Sequence, residues 1–532
     1  MSMKKRLSFI VLGLLFSLGL SSCQVDFTFA PFEDYLEPLE TKKNVETDIY
    51  YSKDHYESLS YEKFDGSEGK IETHRDLFNS RVDNRPYLNM NSLGEEKVLV
   101  IPVSFTDSQK STKAEKLNKI KNAFFGKENL TAYESVASFY NKSSYGHFKL
   151  NGEVSDWFDL NLSSNELKTE IHPTALGSRY VASLAIEWYL NSHDDLASYD
   201  LDDDGFIDGL YLVYDYPYKT TGDLFWAYTD RMNRAETFMA NNHEWLTLNT
   251  SEIAINGYVW ASIDFLKIEE KRVDSRVFSH ESGHLLGLLD YYSPYTYQPT
   301  GFMDLMDSNL GDHTGWSKMI LNWLTPKVMK NPGRIALKSF TNSGELILIP
   351  SSEWNGTPYD EFLLLEFYTP NGLNGYDTKL RFTYQDENGK DQTGHLFSKR
   401  GLKVYHVDAR IGYFDNHVYP KLIASLDDPN AATKLANYRA SGKTSYYLDF
   451  LNSNSVSNLE TQKPLYHLLE KSGENSFIKG LPATDDTLFF FNDSFGYTTF
   501  SDFAFNNGGT LKYKFKITAI NSANIQIVFE SK

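Results

Sequence analysis

Cysteine is almost absent from this chain: Cys23 is the only one in 532 residues. A single thiol cannot form an intrachain disulfide, so the fold must be held by its cores, helped by any bound ions. Positive charge is also scarce. Lys and Arg number 52 against 71 Asp and Glu, a net charge of −19. Such a chain repels phosphate backbones, which argues against nucleic acid as a partner. Long apolar runs are missing beyond the N-terminus, so the sequence offers no second membrane span. There is no repeat of fixed period, no Gly-rich phosphate loop and no nucleophile elbow. Aromatic residues, by contrast, are plentiful. With 35 Tyr, 36 Phe and 41% hydrophobic residues, the chain can fill large cores and reads as globular. Its length predicts three or four folding units at about 150 residues each.

The N-terminus carries Lys4, Lys5 and Arg6, an apolar run from Leu7 to Leu20, and then Ser21-Ser22-Cys23. Charge, short apolar core and small residues before a cleavage point are the layout of an export signal. A Cys after the small pair matches the bacterial lipobox, in which the new N-terminal Cys23 is acylated; a plain signal peptide or N-terminal anchor is the other reading. Acyl chains contribute about 0.8 kcal/mol per buried methylene, so two or more anchor stably. Removal of 1–22 takes away three positive charges and moves the net charge from −19 to −22. The expected location is therefore extracytoplasmic, lipid-anchored at the bacterial cell membrane or surface.

Residues 23–93 are polar and mixed: a tether and N-terminal segment, or a pro-region. From Lys97 to Phe105 an apolar run predicts a buried strand. Helical spacing follows over 113–125 and 132–144, with Gly146 as a stop. Alternation predicts a strand over 147–154, a long helix is expected over 172–191, and 209–215 reads as an apolar strand. Residues 276–289 read as one helix. After Pro326 short β-rich runs dominate, at 345–349, 362–367, 402–407 and 487–491. Residues 511–529 read as two strands joined near 521–524. The expected fold class is α+β. A metzincin-like zinc peptidase domain over 94–326 is followed by a β-sandwich-like C-terminal region over 327–532, in one or two domains.

The chemistry concentrates in His280-Glu281-Ser282-Gly283-His284. Residues four apart share a helix face, so His280 and His284 can both point a ring nitrogen at one cation. Glu281, one residue on, can reach a water held there. This is the H-E-x-x-H arrangement of zinc peptidases, in which water is acidified toward a pKa of about 7 and Glu281 serves as the base. Gly287 lets the helix end and the chain swing back, bringing Asp290 as a third ligand. That is the extended metzincin pattern with Asp in the last place. Metzincins place a Met in a turn beneath the metal. Met306 is the candidate and Met303 the reserve; the other reading makes both ordinary core residues.

On these residues the sequence resembles the immune inhibitor A family of bacterial metallopeptidases. The likeness extends to Lys97–Phe105 as a first strand and to Ser135 through Gly146 as a helix leading to a Ser-Tyr-Gly turn. It also takes in the acidic stretch Asp200 to Tyr214, Gly315-Trp316-Ser317-Lys318, Asn322-Trp323-Leu324, and Gly401 through Asp408. Asn322 stands where the family usually has Gly. The likeness covers roughly 95–410. It implies zinc-dependent endopeptidase activity on proteins or peptides, bound calcium, a frequent pro-segment, His280, His284 and Asp290 as zinc ligands, and Glu281 as base.

Asp200, Asp202, Asp204 and Asp208 fall at relative positions 1, 3, 5 and 9, with Gly205 at position 6. Hard oxygen ligands at this spacing wrap calcium. An EF-hand would need Glu at position 12, where this chain has Tyr211, so the loop is EF-like only in its beginning. The alternative is a solvated acidic turn. His313 is expected to be a satisfied surface residue, His406 a packing or hydrogen-bonding residue, and Tyr291 and Tyr292 wall residues. Two rival functions stand beside the endopeptidase reading: a non-catalytic binding or adhesion lipoprotein on the same fold, and a zinc enzyme acting on another bond.

Overall fold

The computed structural model describes residues 27–29, 56–58 and 90–532, apart from 194–195, 267, 270–271, 294–297, 309–310, 379, 386–389, 416–420, 427, 444–445 and 455–462. Cys23, the expected export signal and most of the 23–93 segment lie outside the described residues. With 25% of it helical and 30% in strands, the molecule is α+β.

The apolar run after residue 93 forms β1 (Gly94–Ser104), and the chain continues with α1 (Lys113–Phe125), α2 (Val136–Ser143), β2 (Phe148–Val154), α3 (Ala175–Leu190), β3 (Gly209–Tyr214), β4 (Tyr228–Arg231), β5 (Gly257–Ser262) and α4 (Arg276–Leu285). The strands lie in the order β2-β1-β3-β5-β4, with the short strand Phe158–Asp159 also paired to β1. All of these pairings are parallel except that of β4, which runs antiparallel on the edge. Alternate residues of a strand face opposite ways. Val98, Val100, Tyr211 and Val213 pack with Ile120, Phe124, Phe139 and Phe278 from α1, α2 and α4. Leu99, Ile101, Leu210 and Leu212 pack with Val181, Ala185 and Ile186 of α3. Helices on both faces are what allow β3, β5 and the Val98–Val103 part of β1 to be apolar.

Boundaries shift where caps decide them. The helix expected over 132–144 starts only at Val136, because the Ser135 hydroxyl accepts the Ser138 amide at 3.2 Å and ends the helix there. The helix expected over 276–289 stops at Leu285.

Downstream come α5 (Leu305–Ser308), α6 (Gly315–Ile320), β6 (Lys327–Met329), β7 (Gly333–Lys338), β8 (Leu346–Pro350), β9 (Glu361–Tyr368), β10 (Gly401–Asp408), β11 (Tyr466–Leu468), β12 (Ser494–Phe495), β13 (Tyr513–Ile520) and β14 (Asn524–Ser531). Residues 487–491, expected as a strand, form instead the end of a 3-10 turn and a single bridge from Phe489 to Leu402. Two sheets result. One orders Tyr56–Ser58, β6, β8, β9, β10 and β11; the other orders β7, β14, β13 and β12. Ile347, Ile349, Leu363 and Leu365 share a core with Phe515, Ile517, Ile525 and Ile527 of the second sheet. The opposite face, through Leu346, Leu348, Phe362 and Leu364, belongs to the same cluster as Phe278 and Trp316. The change of texture at Pro326 is therefore not a break in packing.

Candidate metal centre

Helix α4 is seated by its neighbours. The Tyr140 hydroxyl donates to the Ser279 carbonyl at 2.6 Å, and Tyr211 and Ser282 share a hydroxyl hydrogen bond of 2.7 Å. No Cβ fits at Gly283, where it would lie 2.4 Å from Met306 Sδ. The thioether therefore occupies the space between the two histidine turns. Met306 and Met303 are both buried in the same core cluster.

The helix ends in a Schellman turn. The Gly287 amide donates to the His284 carbonyl at 3.0 Å and the Leu288 amide to the Gly283 carbonyl at 2.9 Å. Gly287 has φ +89°, where a side chain is strained. The reversal is then pinned by the Tyr291 amide, which donates to the Met306 carbonyl at 2.9 Å. Asp290, one residue earlier, comes back over the helix.

His280, His284 and Asp290 converge. Asp290 Oδ1 lies 3.2 Å from His280 Nε2 and 3.3 Å from His284 Nε2. The far ring nitrogens are both engaged, His280 Nδ1 with the Leu305 carbonyl and His284 Nδ1 with the Leu288 carbonyl, each at 2.8 Å. A ring nitrogen facing a carbonyl must donate, which turns each Nε2 lone pair inward. Asp290 Oδ1 is buried between the two rings. Three ligand atoms thus meet at one point, where the carboxylate is relieved either by a proton on an imidazole or by a cation. A tetrahedral ion with bonds of about 2.0–2.1 Å sets its ligands about 3.3 Å apart, so two imidazoles and one carboxylate at these spacings fit zinc. His284 and Asp290 keep 11% and 12% side-chain exposure, so the site opens on their side.

Electrostatics follow the geometry. Burial opposes a charge on His284, but the Asp290 carboxylate outweighs it and lifts the imidazole to about 9. Burial would raise Asp290, yet the two imidazoles, His284 foremost, hold it well below the usual carboxylate range. Glu281 is 2% exposed, and burial raises its carboxyl against the pull of both histidines. Thr229, on the edge strand β4, donates to Glu281 Oε2 and to its carbonyl, both at 3.0 Å. This partner is 52 residues away in sequence and no motif announces it.

The acidic loop is also assembled. Asp200, Asp202 and Asp204 bring one oxygen each within 4.8 Å of one another. The loop is wound on its own carboxylates: Asp200 accepts the Asp204 and Gly205 amides and Asp204 accepts the Phe206 amide. Asp208 accepts the Leu201 amide at 2.8 Å but is not one of those three. Burial first, then the Glu96 and Asp202 carboxylates, lift Asp208 to about 8.

His313 departs from expectation. It is buried rather than on the surface, wedged among Phe139, Tyr140 and Trp323, with Nδ1 3.5 Å from Asp304. The ring serves as one more aromatic in an aromatic core. His406 hydrogen-bonds Glu361 at 2.7 Å, as a packing residue should, and Tyr291 and Tyr292 are buried wall residues. Comparison with protein-family models gives no match, and comparison with curated proteins gives none either.

Proposed function

We propose that this chain is a zinc endopeptidase, lipid-anchored through Cys23 outside the bacterial cytoplasm, which hydrolyses peptide bonds with Glu281 as general base. One observation carries the reading: the convergence of His280 Nε2, His284 Nε2 and the buried Asp290 Oδ1 on one point. Peptide as the substrate class is supported by the metzincin-like spacing from His280 to Asp290 and by the immune inhibitor A resemblance. On this reading the first sheet and α4 form the metzincin-like half, and the two later sheets form the β-sandwich-like half. The acidic loop holds a structural calcium ion.

Bound by His280, His284 and Asp290, zinc would supply Lewis acidity, lowering the pKa of water at the site toward about 7 and polarising a carbonyl. The protein does the rest. The Leu305 and Leu288 carbonyls fix both imidazoles in the ligating tautomer. Thr229 holds Oε2 of Glu281 and leaves Oε1 to take a proton from water. The water oxygen bonds to the carbonyl carbon, the C–N bond breaks, and Glu281 returns the proton to the leaving nitrogen. Burial raises the Glu281 carboxyl toward the pH at which it must both accept and give that proton.

The test is Glu281→Ala. It is expected to fold and to retain zinc by metal analysis. Hydrolysis of a casein-type substrate should fall about 10²–10⁴-fold. An unchanged rate removes the peptidase reading. A peptide library compared with and without Glu281 separates proteolysis from chemistry on another bond.

A further inference from the structure

Strand β4 holds the metal-site helix at two points. Its residues alternate in direction, so Thr229 and Arg231 face α4, while Tyr228 and Asp230 face α3 across the sheet. Thr229 reaches Glu281, and Arg231 Nη2 donates to the His284 carbonyl at 3.1 Å. Yet β4 is four residues long and stands at the end of its sheet, paired only with β5 among the described residues. A short strand with one neighbour opens more readily than a central one. A bond to a reacting carboxylate needs placement to within about 0.5 Å.

The far face supplies the support. Arg179, on α3, grips Asp230 with two donors, Nε to Oδ2 at 2.7 Å and Nη2 to Oδ1 at 3.1 Å. Its Nη1 donates to Glu236, just beyond the strand, at 2.6 Å. Tyr258, opposite Asp230 on β5, donates to Asp230 Oδ2 at 3.3 Å. The Tyr228 hydroxyl donates to Ser178 at 2.9 Å, and Ser178 and Tyr258 share a hydrogen bond of 2.7 Å. Ser178, Tyr228 and Tyr258 are buried. A guanidinium fork on a carboxylate fixes direction as well as distance. Tyr228 and Tyr258 belong to the core on the α3 face, whereas Phe278 and Leu285 of α4 belong to the core on the other. The proposed reaction uses none of these groups.

We infer that Arg179 is a positioning residue for the general base. Through Asp230 it fixes the edge strand from the face opposite the metal site, and so holds Thr229 where it bonds to Glu281. The inference rests on the peptidase reading and adds to it a support that acts through a strand rather than by contact.

The test places Arg179→Gln in the full-length protein, with and without Thr229→Val. Alone, Arg179→Gln should lower kcat about tenfold on a peptide whose cleavage depends on Glu281, with KM unchanged. Combined with Thr229→Val it should lower kcat no further than Thr229→Val does, because the bond it protects is already gone. Hydrogen exchange gives a readout apart from turnover. In the zinc-free protein, Arg179→Gln should speed exchange in peptides covering 228–231 and leave 98–103 of β1 unchanged. Tyr258→Phe removes one hydroxyl and keeps the ring, so it carries the same comparison if Arg179→Gln does not fold. The inference is overturned if Arg179→Gln, or Tyr258→Phe in its place, leaves kcat unchanged. It is also overturned if kcat falls by the same factor with and without Thr229→Val, or if exchange quickens equally across the sheet. Hydrolysis that Glu281→Ala does not reduce overturns the peptidase reading, and this inference with it. Hydrolysis that Glu281→Ala abolishes and Arg179→Gln spares overturns this inference alone.

Discussion

Thr229 shows how much of this site is decided by single atoms. Its hydroxyl spans Oε2 and the carbonyl of Glu281, and on the proposed reading it leaves Oε1 for proton transfer. Thr229→Val keeps the shape and removes the donor. We expect zinc content to be unchanged and kcat to fall about tenfold or more, the usual cost of losing a supporting contact. The kcat loss should come with a shifted pH profile, because the bond favours the ionised carboxylate; a loss confined to KM would refute the role. Gly283 makes the opposite case, where the useful atom is an absent one. A methyl there would meet Met306 Sδ at 2.4 Å. Gly283→Ala should destabilise the protein by about 1–3 kcal/mol in urea unfolding, and Met306→Ala in the same chain should recover part of that. At this scale the sequence shows what is local. His280, Glu281, His284 and Asp290 lie within one helix and its reversal, so spacing alone brings them together. Thr229 and the interior place of His313 depend on which strands and helices become neighbours, and no local pattern encodes that.

Elements were legible where their ends carry chemistry. The Gly287 reversal is the clearest case, since a left-handed residue is required for both hydrogen bonds of the turn. Gly287→Ala forces a side chain into that region and should cost about 1–2 kcal/mol. Because Asp290 hangs from the same turn, zinc affinity should fall along with stability. Unchanged affinity in a destabilised variant would mean the turn does not position Asp290. Asn322 obeys the same rule. It ends α6 with φ +60°, a conformation Asn tolerates better than most residues. Ser135 sets the start of α2, which helical spacing alone places at 132. The misread segment, 487–491, has strand-like composition but no free edge to join. β10 is paired with β9 along its length, and β11 takes its other edge from Tyr405 onward. Only the bridge at Leu402 remains.

At the scale of the molecule the two halves share a core and a buried charged contact. Glu366 on β9, paired with Lys403 on β10, accepts the Gly315 amide at the start of α6 at 2.9 Å. Lys318 on α6 pairs with Asp312 at 2.6 Å within the first half. None of this was visible in the sequence, where Pro326 marks only a change of texture. One consequence concerns pH. Asp307 and Asp377 are both buried, and burial lifts each carboxyl to about 7. Unfolded, each returns to about 3.9. Between those values the native state holds a proton that the unfolded chain has released. Stability from these groups is therefore full below about pH 4 and is lost as pH rises toward 7, at no more than about 1.4 kcal/mol per pH unit for each. Asp290 and Asp304, whose carboxyls are held below the usual range, slope the other way at acid pH, so the total curve conceals the effect. A difference curve does not. Asp377→Asn cannot titrate, and its amide oxygen can still accept the Tyr368 hydroxyl that donates to Asp377 at 2.8 Å. The stability of Asp377→Asn relative to the unsubstituted protein should therefore rise steadily from pH 5 to pH 7 and level off above it. Adding Asp307→Asn should steepen that rise. Parallel unfolding midpoints across the range would show that neither carboxyl is protonated in the native state.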